Sequence, residues 1–165
     1  MSIEFLEVTP KIPSPKCSII NDIQSVIEGN DEFQNVTLLV GPRDSREEIK
    51  ANKMMLMARS PVFAVMFQSE MVEKATSTVE ITDISTNEFK ILLKFIYTDD
   101  KPDLNDLKTI EDVIIDADKY QIIRLKNLCE NQLLTNYLSI ENAGHLLAFA
   151  DQYDLKFKNY VIERF

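Results

Sequence analysis

Ala51-Asn52-Lys53-Met54-Met55-Leu56-Met57-Ala58-Arg59-Ser60-Pro61-Val62-Phe63 is the stretch on which the architecture turns. Proline cannot continue a helix, but it is tolerated at a first helical position, where its missing N–H has no intrahelical use. Ser60-Pro61 therefore predicts two short helices, at about 53–59 and 61–69, with Ser60 as the N-cap of the second. Just upstream, Phe33 to Val40 is a β-rich run holding Val36, Leu38, Leu39 and Val40. Gly41-Pro42-Arg43-Asp44 reads as a turn, and Glu47 to Ala51 returns as a second strand. Thr78 to Ile81 supplies a third.

Further out, the pattern becomes helical. Ser85-Thr86-Asn87-Glu88 has the capping-box form, and Phe89, Leu92, Leu93 and Ile96 follow as one apolar face. Asp99 to Asn105 is a polar break, read as a solvated loop. Helices are expected at about 109–119 and 122–135, then a last pair at about 139–153 and 155–165 capped by Ser139. Towards the N-terminus, residues 18–28 place Ile20, Ile23 and Ile27 at helical spacing, flanked by Ile19 and Val26. Residues 1–17 read as a tail or strand, broken by Pro10, Pro13 and Pro15. Three short strands followed by mostly helix make an α+β chain. Its expected organisation is a tail (1–17), a main domain (18–135) and a terminal helical pair (136–165).

Composition narrows the function. The chain has 165 residues, 45% of them hydrophobic, which suits one domain with a real core. A net charge of −9 argues against nucleic acid, whose phosphates need a basic patch. No apolar run is long enough for a membrane span, and Met1 to Pro10 lacks the basic start of a targeting peptide. Two cysteines, Cys17 and Cys129, make no disulfide framework, so an intracellular location, nucleus or cytoplasm, is expected. The three glycines, Gly29, Gly41 and Gly144, are too scattered to cradle a phosphate. Cys17, Cys129 and His145 lack zinc-site spacing, so neither a metal nor another cofactor is expected. The acids Asp99, Asp100, Asp103 and Asp106 lack the ordered ligand pattern of a calcium loop. No nucleophile–base pair is evident, which points away from an enzyme.

The order and spacing of several motifs carry a resemblance. Besides residues 51–63, these are Phe67-Gln68-Ser69-Glu70-Met71-Val72-Glu73, Val79-Glu80-Ile81, Phe95-Ile96-Tyr97-Thr98, and Asp118-Lys119-Tyr120 followed by Leu125 and Cys129-Glu130. Together they resemble the BTB/POZ domain family over about residues 18–165, with the speckle-type POZ protein group as the nearest likeness. Leu138-Ser139-Ile140-Glu141-Asn142-Ala143 resembles the start of the helical pair called the 3-box. The resemblance implies the BTB/POZ fold, a small sheet flanked by helices, with the 3-box as a C-terminal helical hairpin. It also implies a homodimer and a non-catalytic adaptor that joins a cullin-3 scaffold to a protein substrate for ubiquitination.

Residue roles follow from the same likeness. Ile19, Ile20, Ile23, Val26 and Ile27 would form the dimer helix; the plainer reading is that they cover the domain's own core. Met71 and Glu73 fit the hydrophobic-x-Glu pattern at the scaffold contact, with Phe67 beside them. The thioether would fill an uneven apolar pocket, and the carboxylate would set register. Asp118, Tyr120 and Leu125 would form the second half of that contact. Tyr120 and Leu125 read equally well as core. Asn35 and Asn52 stand where the family usually has Asp and His, which puts partners that read a charged pocket there in doubt. Ile3 to Val8 faintly resembles the last strand of a MATH domain, the substrate reader of speckle-type relatives. It reads equally as a remnant, an exchanged strand or a tail. The alternatives to an adaptor are an oligomerisation module, including a dominant-negative partner of longer adaptors, and a transcriptional corepressor module.

Overall fold

The computed structural model describes residues 35–68 and 78–164. Within them the chain forms strand β1 (Val36–Val40), β2 (Glu47–Ala51), helix α1 (Lys53–Arg59), α2 (Pro61–Gln68), β3 (Thr78–Ile81), α3 (Thr86–Thr98), α4 (Leu107–Lys119), α5 (Ile123–Tyr137), α6 (Ile140–Gln152) and α7 (Lys158–Arg164). The expected helix at 18–28, the N-terminal tail, Met71 and Glu73 lie outside the described residues.

The sheet has the order β2-β1-β3. β1 pairs antiparallel with β2, Val36 opposite Ala51 and Val40 opposite Glu47. It pairs parallel with β3, Thr37 opposite Thr78. Val36, Leu38 and Val40 alternate into the core, as a strand with one buried face requires. Gly41 closes the strand at φ +107, a conformation that disfavours any side chain. An added Cβ there would stand 3.2 Å from Ser45 O and Thr86 Oγ1.

The helices cover the sheet around Phe63, Phe89, Leu92, Phe95, Ile110, Ile114 and Leu125, all essentially inaccessible. Local caps start them. The side-chain oxygens of Ser85, Asp106 and Ser139 accept from the N–H groups of Glu88, Thr109 and Asn142. Cys129 is fully buried on α5, and burial pushes its thiol up to about 12.

One expectation is corrected. Asp99 is not part of a solvated loop: it ends α3 in the left-handed conformation (φ 57), with its side chain only 18% exposed. Its carboxylate pairs with Arg59 at the end of α1 and, at 2.7 Å, with Arg124 on α5. Two cations from separate helices hold it where a lone carboxylate would remain in water. Asp106 likewise works as a cap, its carboxylate accepting from Thr109 N at 2.8 Å.

Candidate protein-interaction surface

Two regions bear on partner binding. The first is the corner where α4 gives way to α5. Gln121 takes φ 55 there, turning the chain within three residues. Tyr120 is thrown inward and is 3% exposed. Its ring stacks on Phe63 at 4.9 Å, and Phe63 stacks on Phe67 at 6.0 Å and meets Phe89 edge-on at 6.4 Å. Ser60, the α2 cap, ties this row to the backbone. Its hydroxyl donates to Tyr120 O at 2.6 Å and accepts from Phe63 N at 3.2 Å. Burial, then the charges of Asp83 and Asp116, push the Tyr120 phenol well above the ordinary tyrosine range.

The sequence groups Phe67, Asp118, Tyr120 and Leu125 as partner contacts. The structure brings Phe67 and Tyr120 together, but through Phe63 and inside the core. Phe67 is 5% exposed and Leu125 is sealed completely. Of the four, only Asp118 faces solvent, where Lys126 Nζ lies 2.7 Å from its carboxylate. The corner's exposed apolar group is Ile123, 50% exposed at the start of α5. Sequence reasoning passed over it. The signal was available: Ile122, Leu125, Cys129 and Leu133 keep a buried helical phase, and Ile123 falls outside it.

The second region is the outer face of α1 and α2. Met54, Met57, Ala58 and Ala64 line an open groove of about 440 Å³, rimmed by Asn35, Lys53 and Gln68. Met54 is 68% exposed, as is Val65 on α2. Asn35 and Asn52, where the family pattern has Asp and His, both serve the start of α1. Asn35 Oδ1 accepts from Lys53 N at 2.9 Å, and Asn52 Oδ1 from Met55 N at 3.0 Å. Two amide oxygens thus satisfy two of the N–H groups that a helix start leaves unpaired.

Comparisons with known proteins agree with this architecture. The family model "BTB/POZ domain" matches residues 26–137. Among curated mouse proteins, the chain is 41% identical over 143 residues to "TD and POZ domain-containing protein 3", covering 87% of this chain and 38% of that protein. It is 40% identical over 144 residues to "TD and POZ domain-containing protein 5", covering 87% and 41%. The chain therefore spans about two fifths of the length of these relatives. Among solved structures, that of the BTB (Tramtrack and Bric a brac) domain of human Gigaxonin superposes with a TM-score of 0.57 at 24% identity. It covers 79% of this chain and all of that one, a likeness of fold.

Proposed function

The chain belongs to the BTB/POZ domain family, and from that premise we propose that it is a non-catalytic adaptor. In this reading it pairs with a second copy of itself and binds a cullin-3 scaffold, as the substrate-recruiting subunit of a ubiquitin ligase. The BTB domain is an interaction module rather than a catalyst, and pairing between copies is common in the family.

The observation that carries the reading is the α1–α2 groove. An exposed Met54 beside a half-buried Met57 and two alanines, rimmed by polar groups, is the kind of adaptable apolar surface a protein contact uses. The helix expected at 18–28 completes the pairing surface, through Ile19, Ile20, Ile23, Val26 and Ile27. Scaffold binding is assigned to Met71 and Glu73 together with Asp118, to which the exposed Ile123 is added. Phe67, Tyr120 and Leu125 shape that surface from beneath. The α6–α7 hairpin is read as a 3-box appended to a BTB unit at 18–135, which groups the chain with speckle-type adaptors.

The test is light scattering for mass, with calorimetry against the N-terminal domain of a cullin-3 scaffold. A dimer that binds, and loses binding in the Met71→Ala/Glu73→Ala double variant, supports the adaptor. Ile23→Asp is expected to return the chain to monomer mass. A well-folded dimer without affinity for the scaffold would sink the adaptor. It would leave the second reading, an oligomerisation module, which the burial of Tyr120 and Leu125 favours.

A further inference from the structure

Four carboxylates line one groove where the start of α3 faces α4. Asp83 precedes α3, Glu88 lies in its first turn, and Asp112 and Asp116 lie one helical turn apart on α4. Ile84 and Ile115 form the apolar wall of this space of about 220 Å³. Two of the acids are answered from within: Asp83 by Lys119, and Asp112 by Lys108 at 2.8 Å. Glu88 enters no ion pair among the described residues. Asp116 is the unusual one. It is 8% exposed, and its carboxylate accepts no hydrogen bond from any described residue. Its oxygens still reach the groove, but a carboxyl so largely withdrawn from water without a partner is costly. Burial, then the charge of Glu88, with Asp112 and Asp83 adding and Lys119 opposing, push it up to about 7.

We infer that this groove is a recognition pocket for an arginine side chain presented by a protein partner. The two isoleucines suit the methylene stem, and the carboxylates suit the guanidinium fork. Guanidinium is more weakly hydrated than ammonium, so arginine enters a buried acidic site at less cost than lysine. Free arginine would bring its own carboxylate against the acidic rim; arginine within a peptide does not. The net charge of −9 draws basic segments towards the molecule at large, while Asp116 gives one place to lodge. The inference is independent of scaffold binding.

The probe is the blocked peptide acetyl-Gly-Arg-Gly-amide, titrated into the isotopically labelled chain and followed by amide NMR. Its citrulline counterpart is the uncharged isostere. Saturable shifts centred on Ser85, Glu88, Asp112 and Asp116 are expected with arginine and not with citrulline. Asp116→Asn, close to isosteric, should weaken binding about tenfold. Glu88→Gln gives a second variant at the site, and Asp103→Asn, an exposed acid elsewhere, should leave affinity unchanged. Unsaturated shifts spread over the surface, an equal response to citrulline, or full affinity in folded Asp116→Asn and Glu88→Gln would each overturn the pocket. Equal binding of free arginine would overturn its assignment to a protein partner.

Discussion

Met54 and Val65, on the outer face of α1 and α2, are each 68% exposed, whereas Tyr120, at the α4–α5 corner, and Phe63, the α2 residue stacked on it, are buried. Both regions are built from large apolar side chains on short or turn-adjacent segments. The difference lies in what faces them. Phe63 and Tyr120 meet Phe67, Phe89 and a hydroxyl from Ser60, so the corner is stability. The outer face has an open groove above it, so Met54 adds little to the folded monomer and is left free for the proposed contact, while Met57 still packs partly on the core. Apolar character alone does not separate the two; burial does.

The comparison is broken most directly by truncation. Tyr120→Ala should cost about 3–5 kcal/mol, since it opens a cavity and unstacks Phe63. Met54→Ala should stay within about 0.5 kcal/mol, as surface changes do. Denaturant melts of both variants check the pair, and equal losses would erase the distinction.

The corner's flank also responds to pH. Burial, then the charge of Glu88, raises the Asp116 carboxyl from the ordinary aspartate range to about 7 in the folded state. The native state therefore holds a proton that the unfolded chain releases, and stability from this group falls as pH rises from about 4 through about 7. The loss is on the order of 2–4 kcal/mol. Asp116→Asn should flatten that slope and raise the melting temperature above pH 7, in thermal scans across the window.

A smaller effect tests the tie between the helices. Ser60→Ala removes the hydroxyl that donates to Tyr120 O, and should cost about 1–3 kcal/mol. Smallest of all is a gain on the outer face. Asn35→Asp keeps the bond to Lys53 N and adds negative charge at the start of α1, worth about 0.3–1 kcal/mol. A loss there would mean that the amide serves something besides the cap.

Much of the scaffold was legible without coordinates. The strands at Glu47–Ala51 and Thr78–Ile81 and the helix at Lys53–Arg59 fall where turn, cap and proline signals put them. The last helix begins at Lys158 rather than near 155, because Leu155 and Phe157 are spent on the core before the helix starts. The candidate site was less legible. Tyr120 and Leu125 read equally as contact or core, Phe67 read as contact alone though it is buried, and Asp99 read as loop. The partners that decide between those readings, Phe63, Arg59 and Arg124, lie tens of residues away in most cases.

Most of the described strands and helices, the caps at Ser60, Ser85 and Ser139 and the family pattern were legible in the chain alone, because a cap or a proline acts within about four residues of itself. Packing between distant elements is what turns Tyr120 inward, leaves Met54 outside, and brings Asp83, Glu88, Asp112 and Asp116 to one groove. Those acids are separated by up to a helix and a loop along the chain. They meet because α3 and α4 bury their apolar faces against the same core, and side-chain environment is set by that packing rather than by neighbours in sequence.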